Sequence, residues 1–414
     1  MFFKKFNISF IVTVCSLQVL LFSGCATNNT KSSTSVGPSL SSSYSDEKGI
    51  NSVQSLPKLD VIIPVFDPGL PQDQDYEDEN IWPEIRRAEA NRFAYKLKEK
   101  LDETGEFGSV RVTPDRTATG DLYILGQIKE SNGEEVEVAI EVIDISNRKW
   151  LDESFDHEVS DAFHKSYRNK GKDSYDPLFE NIATKIIEEL NDHESNELED
   201  LHYLSDIRFG ANFSDSKFMQ YIEIEEDQFK LVSKPSDLDP MFRRVKAIRV
   251  RDQLFIDGLQ SNYASFSSKM NDSYLMWQSQ SLLEIKAKRS ANRKALAQAV
   301  GGAALIGLGV LAAVAGASSR SPATQTASTL GLLAGGVGGA ILIGESFKTS
   351  DEANVHRDTL NELGKSVDLE LAPKVIAFNK KSVELTGNAK EQFMQWRNFL
   401  QKIYSEEKTP DVQL

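Results

Sequence analysis

Glu135-Val-Glu-Val-Ala-Ile-Glu-Val-Ile-Asp-Ile145 is the stretch that decides the fold. Val136, Val138, Ile140 and Val142 alternate with Glu135, Glu137 and Glu141, so successive side chains form one apolar row and one carboxylate row. A two-residue period of this kind belongs to a strand with one face in a core and the other in water. Turn signals bound it on both sides, Ser131-Asn132-Gly133 before and Ser146-Asn147 after. Beyond the turns lie two further β-rich runs, Asp121 to Ile128 and Lys149 to Val159, so the segment is the middle of a three-strand meander.

Upstream, Leu59-Asp-Val-Ile-Ile-Pro-Val-Phe66 reads as an opening strand and Val110 to Val112 as a second. Between them, Ile85, Phe93, Leu97 and Leu101 with Ala90 and Ala94 follow a 3.6-residue period. That pattern predicts a helix from Ile81 to Glu103 with Glu, Lys and Arg on its other face. Leu178, Ile182, Ile186, Ile187 and Leu190 predict a covering helix over Asp176 to Leu190. The order β-α-β-β-β-α makes an α+β class module over residues 56–192. Asp73 to Glu79 reads as a solvated acidic loop, since Asp78 occupies the place where a calcium loop needs glycine.

The chain from Asn191 onward reads as mainly helical, with a helical region at 193–294. No proline occurs between Pro240 and Pro322, which leaves room for a very long helix. Within it, Leu259, Tyr263, Phe266, Met270, Tyr274 and Trp277 recur at three- and four-residue intervals, a helix-packing seam. Lys286, Lys288, Arg289, Arg293 and Lys294 then lead into two stretches without charge, Ala295 to Ser319 and Ser321 to Gly344, interrupted only by Arg320. The basic run reads as a solvated, lipid-adjacent collar. Residues 345–414 read as a returning helix and a C-terminal packing segment. In that segment Phe393, Trp396, Phe399, Leu400 and Ile403 form one buried helix face.

Residues 295–344 carry small residues at close helical spacing. Gly331, Gly335 and Gly339 form one row, and Gly336, Ala340 and Gly344 another. In the first stretch Ala299, Ala303 and Gly307 form a third, beside a seven-residue row of Gly302, Gly309 and Gly316. Such rows let helix backbones approach closely and gain van der Waals contact. They resemble the glycine-zipper two-helix segments of bacterial envelope lipoproteins, and polar arms on either side predict a long antiparallel hairpin with an apolar tip. The eight Leu, Ile and Val residues of the first stretch contribute about −2.4 to −4.8 kcal/mol toward insertion in lipid. The 16 residues from Thr329 to Gly344 span about 24 Å as helix, short of a ~30 Å hydrocarbon core. Two arrangements therefore stay open, insertion in the bilayer or burial between subunits of a homo-oligomer.

Lys4, Lys5, the apolar run Ile8 to Phe22 and the sequence Leu21-Phe-Ser-Gly-Cys25 have the layout of a secretion signal over residues 1–24. The last five residues resemble a bacterial lipobox, with Phe22 where that family usually has Leu. The resemblance implies cleavage before Cys25 and acylation of it. Ala26 in the following position implies the outer membrane, facing the periplasm. Residues 25–55, rich in Ser, Thr and Asn, read as a lipidated flexible tether. Without Cys15, which lies in the signal, no internal disulfide is possible. Loss of Lys4 and Lys5 moves the formal charge from −15 to −17, which excludes a nucleic-acid partner.

The α+β module resembles the small domain at the N-terminus of the Tol–Pal translocation protein and the related module of the curli-secretion lipoprotein. The strand ending at Phe66, the helix holding Glu89 and the segment Gly120-Asp-Leu-Tyr-Ile-Leu-Gly126 carry that resemblance. It implies an interaction domain without catalysis. The five histidines are scattered and none pairs at metal-binding spacing. No nucleophile elbow, phosphate loop or dinucleotide fingerprint occurs. The expected function is therefore non-enzymatic, without cofactor or metal: an envelope lipoprotein acting through homo-oligomerisation and contacts with other envelope proteins. An oligomeric pore or secretion accessory built from the glycine hairpin is the other reading. A hydrolase would require a Ser, His and carboxylate cluster in one cleft.

Overall fold

A computed structural model describes residues 56–71, 81–312, 351–378 and 381–406 of the chain. Strand β1, Asp60–Pro64, sits between β2, Ser109–Thr113, and β3, Leu122–Ser131, and is parallel to both. A strand flanked on both edges and covered on both faces reads as a continuous apolar run, and Val61, Ile62 and Ile63 are all fully buried. Antiparallel β4, Glu135–Asp144, and β5, Lys149–Glu158, complete the five-stranded order β2-β1-β3-β4-β5. In β4 the row Val136, Val138, Ile140 and Val142 is buried, while Glu135, Glu137 and Glu141 face outward and are half-exposed. The mixed α and β class follows from this sheet and its helices.

Helix α1, Pro83–Thr104, connects β1 to β2 and ends at Gly105, whose φ of 69° supplies the left-handed cap. Helix α2, Asp176–Asn191, packs beside it, with Phe93 edge-on to Phe179 at 5.2 Å. The expected amphipathic division of α1 holds only for its last turns. Over its first half Arg86, Glu89, Asn91 and Arg92 are buried along with Ile85, Ala88 and Phe93, because other helices cover the polar face too.

Helix α3, Ser195–Ala211, and the single turn α4, Asp215–Phe218, follow. A two-stranded hairpin then interrupts the region read as helical, with β6, Ile222–Glu225, paired to β7, Gln228–Leu231.

Helix α5 runs from Pro240 to Ala312, bearing out the long proline-free helix. Asp239 starts it, accepting the backbone N–H groups of Met241 and Phe242 at 2.7 and 3.1 Å, with proline in the first turn. Leu259, Tyr263, Phe266, Met270, Tyr274 and Trp277 are all buried, so the predicted seam is a packing face. Helix α6, Asp351–Leu363, lies against it. His356 meets Ser273 at 2.9 Å, whereas farther along the chain Val367 lies beside Asn91, whose neighbour Arg92 reaches Ser267. The two helices therefore run antiparallel.

Strands β8, Lys374–Phe378, and β9, Lys381–Leu385, form a small hairpin beside the final helix α7, Ala389–Glu406. As predicted, Phe393, Trp396, Phe399, Leu400 and Ile403 are its buried face. One hydrophobic core joins residues from Leu59 to Ile403, and the described residues form one compact unit. Among the described residues no helix is long and apolar enough to cross a membrane.

Candidate functional site

The long helix is fastened to every other layer by polar side chains, and these contacts define the site. Near its start, Asp252 accepts from the Trp396 indole at 3.2 Å and pairs with Arg397 of α7 at 3.1 Å. One turn later Asp257 pairs with Arg111 of β2 at 2.6 Å, and Gln253 donates to Asp60 of β1 at 3.1 Å. Gln260 then does what a neighbouring strand would do. Its amide donates to the Val112 carbonyl at 2.8 Å and accepts the Val112 N–H at 3.0 Å, capping the otherwise open edge of β2.

Farther along, a buried network joins α5 to α1. Arg92, about 1% exposed, pairs with Asp173 at 2.7 Å and donates to the Ser267 carbonyl at 3.1 Å and the Asn271 amide oxygen at 3.0 Å. Its guanidinium also lies 4.7 Å from the centre of the Tyr274 ring. Gln278 donates to Asp173 at 2.7 Å and accepts the Ser174 N–H at 3.3 Å. Burial works to raise the Asp173 carboxyl, but the Arg92 charge and the bonds from Arg92, Gln278 and the Tyr175 N–H outweigh it and hold it below its ordinary range.

Glu89 lies at the centre of this seam with no exposure. Ser131 and Tyr274 both donate to its Oε1, at 2.5 and 2.7 Å. Its Oε2 has no hydrogen-bond partner, and the nearest cation, Arg86 Nε, stands 3.9 Å away and is itself unbonded. Burial therefore dominates the Arg86 charge and the two hydrogen bonds, and pushes the carboxyl up to about 7. The neighbouring phenols Tyr175 and Tyr274 are raised above their usual range by the same burial.

At the far end of the contact, Lys286 pairs with Asp161, and Arg289 pairs with Glu134 at 2.8 Å and Glu135 at 3.7 Å. Two members of the basic run expected to be a solvated collar are thus partnered with acids of the sheet module. From Asp252 to Arg289 the helix serves as a spine about 55 Å long at 1.5 Å per residue.

Two groupings contain serine and histidine. Asp121, fully buried just before β3, contacts His202 at 2.8 Å and Ser205 Oγ at 2.5 Å. Burial acts to raise this carboxyl, yet the His202 bond and charge, with Arg249 and Ser205, keep it lowered; the bond to Asp121 in turn raises His202. Ser205 bonds Asp121 and the Gly120 carbonyl rather than the histidine, and it is fully buried, so this arrangement positions α3 on the sheet and does not activate a nucleophile. Ser273 lies 2.9 Å from the His356 imidazole, which joins α5 to α6. His193 stacks on Trp150 at 4.0 Å, and His157 lies in β5. Among the described residues no group of three or more His, Cys, Asp or Glu could hold a metal ion.

Cys25, the tether, the acidic loop at 73–79, and Gly316, Gly331, Gly335, Gly336, Gly339 and Gly344 lie outside the described residues. Gly302, Gly307 and Gly309 lie on the last turns of α5. In the sequence Glu89 stands out only within a resemblance, and Arg92, Asp173 and Gln278 carry no signal of their own, since a charged residue on an amphipathic helix reads as solvated until its cover is known.

No family model, curated protein or solved structure matches this chain. The functional reading rests on the residues themselves.

Proposed function

We propose that this chain is a non-enzymatic lipoprotein of the cell envelope, held through Cys25 at the periplasmic side of the outer membrane, where it acts as a structural or assembly factor. Its α+β body binds envelope proteins, and its glycine-rich segment associates in or against the bilayer or with sister subunits. The observation that carries this reading is the contact between Ser273 and His356, which are 83 residues apart in sequence. Helix α5 continues 39 residues past Ser273 to Ala312, and 44 residues then lead from Ala312 back to His356. The return is long enough for a second helix of similar length plus a turn, as an antiparallel hairpin requires. All four rows of small residues fall inside that excursion. The polar spine fixes the arms to the body, so the body holds the hairpin's direction.

Fractionation of cells carrying Cys25→Ala tests the reading. The variant is expected to stay partly with membranes through the hairpin and to remain an oligomer in mild detergent. Complete release as a monomer would remove the hairpin as a second anchor.

A further inference from the structure

Within an acidic chain of formal charge −15, one stretch of surface is strongly basic. The loop between β5 and α2 carries Lys165, Arg168, Lys170 and Lys172, all exposed, and none is in an ion pair among the described residues. Tyr167, in a short 3-10 turn over Tyr167–Asn169, stands among them at 89% exposure, the highest of any large apolar side chain described. The loop is fastened at both ends to α5. Asp161 is held by Lys286 at one end, and Asp173 and Ser174 by Gln278 at the other. Successive backbone bonds, Lys165 N–H to the Ala162 carbonyl, Asn169 to Ser166 and Lys172 to Asn169, keep its middle in consecutive turns.

At this end of the spine Asp161 pairs with Lys286, and Glu134 and Glu135 pair with Arg289. The charge-free segment begins at Ala295, nine residues after Lys286, or about 13 Å along the helix. Elsewhere the acidic surface would be repelled by anionic headgroups. A bare tyrosine in a loop that also exposes four cations suits the membrane–water interface, where aromatic rings settle at headgroup depth and each cation gains from the negative surface potential.

We propose that the loop Lys165–Lys172 is a docking surface for anionic phospholipid, which seats the body against the membrane when the hairpin is engaged there. This rests on the membrane reading above and adds a specificity to it, for headgroup charge.

The test uses the intact chain with Tyr167→Trp as reporter and vesicles whose acyl chains carry bromine. One set is phosphatidylcholine alone and the other contains about a third phosphatidylglycerol. The reporter indole is expected to be quenched on the anionic vesicles only, and less so as salt rises. Adding Lys165→Gln, Arg168→Gln, Lys170→Gln and Lys172→Gln should weaken loop engagement about fivefold for each cation removed, with the far-ultraviolet circular dichroism unchanged. If the chain floats with both vesicles but the reporter is never quenched, the loop proposal fails and the anchor stands. Equal quenching on both compositions overturns the charge specificity. A chain that floats with neither overturns loop and anchor together. A reporter that responds to an acidic polypeptide or to RNA, but not to vesicles, assigns the loop to a different partner and also overturns the proposal.

Discussion

Tyr274 of the long helix donates its phenol to Glu89 of α1 across 2.7 Å, with both side chains sealed from water. The bond ties the α+β body to the spine through a carboxyl that burial has moved from 4.5 to about 7. An acid raised in the folded state keeps its proton while the unfolded chain loses it, so folding weakens as pH climbs from the unfolded value to the folded one. The loss begins near pH 4.5, is complete just above 7, and amounts to about 3 kcal/mol at 1.36 kcal/mol per unit.

Replacing Glu89 by Gln should remove that slope. The amide oxygen can still accept from Ser131 and Tyr274, but nothing titrates. Urea unfolding followed across pH should show a gain for Glu89→Gln over the native chain that is absent at pH 4 and about 3 kcal/mol at pH 8. A pH-independent difference between the two proteins would refute the assignment.

Arg92 and Asp173 form a buried pair, about 1% and 3% exposed in their side chains. Removing one partner strands the other charge. Arg92→Ala or Asp173→Ala should each lose about 3–5 kcal/mol, and the double variant less than the sum. Arg92→Lys should rescue little, since an ammonium cannot reach Asp173, Asn271 and the Ser267 carbonyl together. Strictly additive losses in a denaturant-based mutant cycle would contradict the coupling.

Gln260 substitutes for a missing strand at the edge of β2. Gln260→Met keeps the volume but leaves the Val112 N–H and carbonyl unpaired, at an expected loss of about 1–3 kcal/mol. The Val112 amide should also exchange its hydrogen faster than those of β1, which hydrogen exchange read by mass spectrometry or NMR would resolve. Unchanged exchange at Val112 would show that the amide cap contributes nothing.

The sheet was legible because its signals are local. Alternation in Glu135 to Ile145 and the unbroken run Val61 to Ile63 each report the burial of a strand's own faces. The aromatic stripe from Leu259 to Trp277 was legible for the same reason. The β6–β7 hairpin was not, since its turn places Glu226 and Asp227 at φ values of 49° and 66° without the glycine that usually marks such a turn. The polar seam was illegible for a different reason. Arg86, Glu89 and Arg92 look like the wet face of α1, and they are buried by groups from elsewhere in the chain: Lys129 and Ser131 of β3, Asp173, and Ser267 and Tyr274 of α5. Local periodicity cannot report a cover that arrives from more than 170 residues away in sequence.

The central claim is that the small-residue face of the segment between α5 and α6 is hidden from water. Thiol labelling measures this directly, since under the proposed cleavage and acylation at Cys25 the mature chain would offer no other thiol. Gly335→Cys and, as a control in the tether, Ser41→Cys would be treated in intact membranes with a membrane-impermeant maleimide after the outer leaflet has been opened. The control should label at once, and Gly335→Cys only after denaturation. Labelling of Gly335→Cys as fast as the tether control would mean that the glycine rows stand in water, and neither an inserted nor a subunit-packed hairpin would survive that result.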